Sequence, residues 1–151
     1  MVKRKQVELI GGGFYEPILT LIPDSDKLGQ IEKLTTYLRA SFGTRPRGSW
    51  IAERIWEPGL VKILKNSGMD YTFLDDRYFH IAGVDGENCY STYLTEDQGK
   101  TITVFPISLN LGKRAPFQQP EEIIKELNNF ADDSEQRLVS LMIEGEKLGG
   151  C

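Results

Sequence analysis

The feature that most constrains the fold is a repeated order of segments. A short run rich in β-branched and aromatic residues leads into a loop rich in glycine or acidic residues, and a helical pattern that ends at glycine follows. The β-prone runs lie at 6–10, 49–52 and 71–74. Short β-prone runs that alternate with helical patterns are typical of βα units. The sequence therefore predicts an α/β fold with mostly parallel strands.

Three helices have clear signals. One helix has apolar residues three or four positions apart, at Leu28, Ile31, Leu34, Leu38 and Phe42. The segment 24–26 offers N-cap chemistry at its start, and Gly43 is its expected stop. A shorter helix is expected between Pro58 and Gly68, and a third begins at Pro120. In the third helix the positions expected to face inward are Ile123, Ile124, Leu127 and Phe130.

Two further β elements are predicted in the second half of the chain. The runs 90–94 and 101–105 flank the polar segment 96–99, which indicates a β-hairpin insertion. The apolar run 138–143 is expected to be a last strand that is buried on both faces. No helical pattern follows it, so the βα series is expected to be cut at both ends.

Composition excludes several classes of protein. With 40% hydrophobic and 26% charged residues, the chain of 151 residues has the composition of an ordinary globular unit. Its net charge of -4 provides no electrostatic footprint for nucleic acid. It contains neither a stretch of membrane-spanning length nor the apolar core of a secretory signal, so we expect no membrane association and a cytoplasmic location. One histidine and two cysteines do not form the usual zinc spacings or a disulfide framework.

Acidic residues recur at the ends of the predicted strands. Glu8 lies late in the first run, Glu53 follows the second, Asp75 and Asp76 follow the third, and Glu144 follows the last. A single acid at such a position is most simply a helix cap or a solvated loop residue. In βα barrels, however, the carboxyl ends of the strands form the active site, and glycosidic-bond cleavage requires paired carboxylates. The repetition favours a carboxylate cleft, with aromatic residues beside it that could stack on sugar rings.

Three runs in order resemble the signature regions of glycoside hydrolase family 57: VELIGGGFYEP at 7–17, WIAERIWEP at 50–58 and LDD at 74–76. The resemblance implies that Glu53 is the catalytic nucleophile and that Trp50 lines the sugar site. The run EGEKLG at 144–149 is similar to the family's acid/base region, which normally reads DGEKFG. Glu144 is therefore the implied general acid/base, with a glutamate in place of the usual aspartate. Tyr78 stands where the family has a histidine.

The resemblance also implies a fold, a substrate and a reaction. The family's catalytic domain is a (β/α)7 barrel, and residues 1–151 would form a single partial barrel domain that lacks the first strand and the C-terminal part. The GGGFYEP run is most similar to α-amylase and 4-α-glucanotransferase members, which implies retaining cleavage or transfer of α-1,4-glucans. No metal or organic cofactor is implied. The implied substrate contacts come from Glu8, Tyr15, Trp50, Arg54, Asp75 and Asp76.

Two other interpretations remain open at this stage. The chain could be a truncated, non-catalytic fragment of the family that at most binds sugar, or a generic βα domain with solvated acids. A partial barrel leaves strand edges unpaired, and we therefore expect it to favour self-association or a complementing chain. The WIAERIWEP run makes the generic domain the weakest of the three.

Overall fold

The computed structural model describes residues 1–131 and 137–148. Within it the chain divides into two units: unit 1 contains Met1–Phe73 and Tyr93–Val104, and unit 2 contains Leu74–Thr92 and Phe105–Cys151. The helices are α1 (Asp24–Phe42), α2 (Leu60–Asn66), α3 (Asp76–Ile81), α4 (Leu109–Arg114) and α5 (Pro120–Phe130). The strands are β1 (Gly48–Ser49), β2 (Tyr71–Asp75), β3 (Tyr93–Asp97) and β4 (Lys100–Ile107). The division between the units falls within β2 and β4.

Helix α1 ends where predicted, at Phe42 before Gly43, and it begins at Asp24, inside the segment that was expected to cap it. Gly43 adopts a left-handed conformation with φ 70°, and its N–H donates to the Arg39 carbonyl at 2.9 Å, so the helix stops there. The first turn carries Asp24 and Asp26, whose charges suit the positive end of the helix dipole. The predicted N-cap role is wrong, because the cap position belongs to Pro23 and no side chain accepts a capping hydrogen bond.

The four strands form one mixed sheet in the order β1-β2-β4-β3. Strands β1 and β2 are parallel, with Gly48 opposite Tyr71. Strands β3 and β4 form the predicted hairpin, and they are joined by Gln98 and Gly99, which have φ values of 49° and 75°. Positive φ at both central residues matches the twist of a two-residue hairpin turn. The α/β class and the hairpin insertion are thus confirmed.

Two predicted strands do not form ladders. The run 6–10 has no strand conformation, and the neighbouring Gly11 makes only an isolated parallel bridge to Ser49. In the run 138–143 a single parallel bridge joins Ser140 to Ile107, and Leu138 and Leu141 are exposed, so the prediction of burial on both faces is wrong. A β-prone run becomes a strand only where a neighbour supplies partners along its length. Among the described residues, the run 138–143 is bridged at Ser140 alone, and the only bridge beside the run 6–10 is the one at Gly11.

The helices that follow Pro58 and Pro120 form with small differences from their predictions. Helix α2 packs against α1 and β3, and its apolar residues Leu60, Val61, Ile63 and Leu64 are buried. Helix α5 buries Ile123, but Ile124 is 56% exposed, so its predicted inward orientation is wrong. Adjacent helical residues point about 100° apart. A helix that packs through one narrow face therefore cannot bury both Ile123 and Ile124.

The packing of Gly48 against Tyr71 gives a test of this fold. A Cβ on Gly48 would overlap the Tyr71 ring, whereas a Cβ on Gly29, inside α1, would meet nothing within 4 Å. We expect Gly48→Ala to lower the free energy of unfolding by about 1–3 kcal/mol through overpacking. Gly29→Ala, the matched control, should raise it by about 0.5–1 kcal/mol because alanine favours the helix. Urea unfolding measures both, and equal effects would contradict this packing.

Candidate active site

The turn that carries Glu53 has an unusual backbone. Directly after β1 and Trp50, the chain enters a single 3-10 turn, Ala52–Arg54, in which Glu53 has φ 55° and ψ 4°. Arg54 also has φ 55°. A left-handed conformation costs a residue other than glycine on the order of 1–3 kcal/mol and persists only where its surroundings impose it. Such strain is concentrated at functional sites, and here two strained residues are adjacent.

The glycine loop at 11–13 braces the chain just before this turn. The Gly11 N–H donates to the Gly48 carbonyl, and the Gly11 carbonyl accepts from the Trp50 N–H, both at 2.8 Å. A Cβ on Gly12, which has φ 156°, would lie 2.7 Å from the Trp50 carbonyl oxygen. Only glycine permits this approach. The loop therefore fixes the backbone of Trp50, and the buried side chain of Ile51 anchors the next residue.

A buried lysine fixes the chain on the other side of the turn. Lys27 of α1 is 6% exposed, and its Nζ lies 3.0 Å from Asp24 Oδ1 and 3.3 Å from Glu57 Oε1. Burial alone would lower the pKa of Lys27, but the hydrogen bonds to the two carboxylates outweigh it and raise the pKa. The ammonium is therefore charged when it holds Glu57. The Glu53 turn is thus anchored before it by Ile51 and after it by Glu57.

Glu8 is held by a neighbour in unit 1. The Tyr71 hydroxyl donates to Glu8 Oε1 at 2.6 Å. Burial, together with this hydrogen bond and the Glu8 charge, raises the pKa of Tyr71 to about 12. The phenol therefore stays protonated at neutral pH and remains a donor. The hydrogen bond from Tyr71 orients the Glu8 carboxylate, which the sequence predicts to contact substrate.

Tyr15 lies on the surface of α1. Tyr15 is 68% exposed, its hydroxyl accepts from Lys33 Nζ at 2.8 Å, and its backbone N–H donates to Gln30 Oε1 at 3.0 Å. Lys33 Nζ also lies 4.3 Å from the centre of the Tyr15 ring. These contacts hold an exposed aromatic ring in one orientation, which suits stacking on a sugar face.

The two aspartates that follow β2 have different environments in unit 2. Asp75 is 1% exposed, and its Oδ2 lies 3.1 Å from the Arg77 guanidinium. Asp76 is partly exposed, and its Oδ2 accepts from the Leu109 N–H at 3.2 Å. Asp76 also lines a cavity of about 140 Å³ together with His80, Gly86, Cys89, Tyr90, Pro106, Ser108, Val139 and Ser140. Sequence reasoning missed most of these lining residues, although Ser108 follows a strand end as the predicted acids do.

Glu144 lies in the short 144–148 segment of unit 2. Its side chain is 68% exposed, and its Oε2 lies 2.8 Å from Lys147 Nζ. The structure therefore places Glu53, Glu8, Trp50, Arg54 and Tyr15 in unit 1, and Asp75, Asp76 and Glu144 in unit 2. The predicted pairing of Glu53 with Glu144 stays a prediction.

Two other kinds of feature are absent from the part of the chain that the structure describes. Residues 1–131 and 137–148 contain no group of three or more His, Cys, Asp or Glu side chains placed to hold a metal ion. In the same part of the chain, no helix combines the length and the apolar character needed to span a membrane.

Comparison with known proteins defines the class. Alpha-amylase 1 of Dictyoglomus thermophilum is 46% identical over 149 residues, which are 99% of this chain and 22% of that protein. The 4-alpha-glucanotransferase of Thermococcus kodakarensis is 41% identical, over 99% of this chain and 23% of its own length. The crystal structure of 4-alpha-glucanotransferase from Thermococcus litoralis matches with a TM-score of 0.92 at 40% identity, over 98% of this chain and 23% of that one. The fold is that of α/β enzymes of the glycoside hydrolase class.

The match to a sequence family is more specific. The model of glycosyl hydrolase family 57 matches residues 1–151, and the chain belongs to this family. The expected resemblance is confirmed, as is the expected fold, a part of a (β/α)7 barrel. The chain spans less than a quarter of the length of the curated relatives named above.

The Glu8–Tyr71 hydrogen bond makes a prediction about titration. Glu8→Gln removes the charge and weakens the acceptor, so the pKa of Tyr71 should fall from about 12 towards, but not to, the ordinary value of 10.0. It should stop short because burial, the largest cause of the shift, remains. NMR of ¹³Cζ-labelled tyrosine measures the change. Glu32→Gln, at an exposed position of α1, is the control and should leave the titration unchanged; an unchanged pKa in Glu8→Gln would contradict the contact.

Proposed function

We propose that this chain carries the nucleophile region of a retaining enzyme that cleaves or transfers α-1,4-glucans. Membership of glycosyl hydrolase family 57 and similarity to proteins named alpha-amylase and 4-alpha-glucanotransferase support this class of reaction. Residues 1–151 would form part of the catalytic (β/α)7 barrel, since they match only 22% and 23% of the length of these two relatives.

The single observation that carries the proposal is the strained backbone of Glu53 between two anchors. A nucleophile must be held to within a fraction of an ångström of its reacting carbon, since a misplacement of ~1 Å can cost on the order of a hundredfold in rate. A carboxylate in a left-handed turn, fixed before it by the Gly11–Trp50 pairing and after it by the Lys27–Glu57 contact, meets this requirement. Glu53 is exposed in this chain, but an acid with no role beyond solvation would need neither the strain nor the anchors.

In the proposed mechanism a Glu53 oxygen attacks the anomeric carbon while the bond to the departing sugar oxygen breaks. Glu144 donates its proton to that oxygen, and a covalent glycosyl-enzyme ester remains on Glu53. Glu144, now ionised, then takes a proton from water or from a sugar hydroxyl, which attacks the same carbon and releases Glu53. Two inversions give net retention of configuration.

The other predicted residues of unit 1 have supporting roles in this proposal. Glu8, oriented by Tyr71, is suited to accept hydrogen bonds from sugar hydroxyls. Trp50 and Tyr15 offer aromatic faces to sugar rings, and Arg54 neighbours the nucleophile in sequence. In unit 2, Asp75 with its Arg77 ion pair would contribute mainly by positioning, whereas Asp76 reaches a cavity and can contact ligand directly.

Removal of the nucleophile tests the proposal. The purified chain is incubated with maltoheptaose, and products are followed by chromatography. Glu53→Gln should lower product formation by at least about a thousandfold, because the amide cannot form the ester intermediate. Glu32→Gln, a change of the same kind at an exposed position of α1, should leave the rate unchanged.

Three outcomes are distinguished after circular dichroism has shown that each protein is folded. Activity that is lost in Glu53→Gln alone supports the proposal. Activity that survives in Glu53→Gln refutes the nucleophile assignment. A folded chain without activity favours the alternative, in which these 151 residues at most bind sugar. The observation behind this alternative is that the chain matches less than a quarter of the length of its relatives.

A further inference from the structure

The loop that carries Tyr15 is held on helix α1 of unit 1 by its backbone. The Phe14 N–H donates to the Gln30 carbonyl at 3.2 Å, and the Tyr15 N–H donates to Gln30 Oε1 at 3.0 Å. The loop is also tight, because the Glu16 N–H donates to the Gly13 carbonyl at 3.2 Å and Glu16 has φ 50°. A residue other than glycine keeps such a conformation only where its surroundings impose it. The loop backbone is therefore fixed in the absence of any ligand.

The side chain of Lys33 extends this support to the aromatic rings of the loop. Lys33 follows Gln30 on the same face of α1, since residues three apart in a helix are neighbours. Its Nζ donates to the Tyr15 hydroxyl at 2.8 Å and lies 4.3 Å from the centre of the Tyr15 ring. The same Nζ lies 4.6 Å from the centre of the Phe14 ring, which meets the Tyr15 ring edge to face at 4.9 Å. One ammonium group thus holds both rings through a hydrogen bond and cation–π contacts.

These contacts leave the Tyr15 side chain able to bind a ligand. An ammonium group only donates, so the phenol oxygen accepts from Lys33 and keeps its own hydrogen free to donate elsewhere. Tyr15 also remains 68% exposed. An exposed side chain normally loses rotamer freedom when a ligand packs on it, and this loss lowers the affinity. A tyrosine that Lys33 already holds in place loses less of that freedom on binding.

We propose that Lys33 is a positioning residue for substrate recognition, which acts through Tyr15 and does not itself touch the sugar. The inference rests on the proposed function, because that function supplies the glucan as the ligand of Tyr15. The contacts of Lys33 do not depend on it. A lysine with no role beyond solvation would extend into water, whereas the Lys33 ammonium is turned onto two aromatic rings. Lys33 thus contributes pre-organisation of the Tyr15 ring.

Binding of maltoheptaose, measured by isothermal titration calorimetry, tests this role. All proteins carry Glu53→Gln, so that turnover does not consume the sugar. Lys33→Met keeps the apolar stem but removes the ammonium, and it should weaken binding about three- to tenfold. Lys33→Arg keeps a cation with hydrogen-bond donors and should restore most of the affinity. Arg39→Met, which removes a positive charge from the last turn of α1, is the matched control and should leave the dissociation constant unchanged.

A double-mutant cycle separates positioning from direct contact. Tyr15→Ala removes the ring, and Lys33→Met should then cause no further loss of affinity, because Lys33 acts only through that ring. A direct contact between Lys33 and the sugar would still be lost in the Tyr15→Ala background. In the chain with Glu53 intact, Lys33→Met should raise KM for maltoheptaose and leave kcat unchanged, since the ring binds the ground state and the transition state alike. Thermal unfolding, followed by circular dichroism, should be the same for Lys33→Met and Arg39→Met.

Three results would overturn the inference. They are an affinity that Lys33→Met does not change, a loss of affinity of the same size with and without Tyr15, and no binding of maltoheptaose by any of these proteins. Weakened binding that Lys33→Arg restores, and that disappears as an effect once Tyr15 is removed, supports it. Catalysis is not needed for the binding measurements. A chain that binds in this way but has no activity would contradict the proposed function alone, so the two failures are distinguishable.

Discussion

The paired hydrogen bonds that Gly11 makes with Gly48 and Trp50 are the interaction on which the rest of the Glu53 site depends. They bring a loop without Cβ atoms against the end of β1 and so fix the backbone three residues before Glu53. The strain of the Glu53 turn can persist because the chain on either side has no freedom to relieve it. A bulkier loop could not approach so closely.

The contact between Lys27 and Glu57 shows how helix α1, which precedes the Glu53 turn in sequence, helps to fix that turn. Lys27 is nearly buried in α1, and it can remain charged there because Asp24 and Glu57 offset the loss of solvent. The side chains of Asp24 and Glu57 are exposed to solvent, so the two ion pairs of Lys27 add little stability. Their main effect is to fix the position of Glu57. Helix α1 is thus both part of the core, through Ile31 and Leu38, and a support for the candidate nucleophile.

Local signals predicted local structure well. The spacing of apolar residues and Gly43 fixed α1, and the polar turn before Lys100 indicated the hairpin, because each depends on neighbours in sequence. The prediction of strands at 6–10 and 138–143 was wrong, because strand formation depends on partners that distant segments supply. For the same reason Asp76 was predicted as a site residue but its meeting with Ser108 and Ser140 was not. The positive φ of Glu53 has no signature in residue type.

The proposed mechanism depends on covalent bond formation at Glu53, and trapping the intermediate tests this most directly. The folded chain is incubated with a 5-fluoro-maltosyl fluoride, which forms the glycosyl-enzyme ester faster than water removes it, and the peptide that contains residues 50–58 is analysed by mass spectrometry. The proposed mechanism predicts a mass increase of one 5-fluoromaltosyl group, located on Glu53 and absent in Glu53→Gln. An unlabelled Glu53, or a label on a different carboxylate, would contradict it.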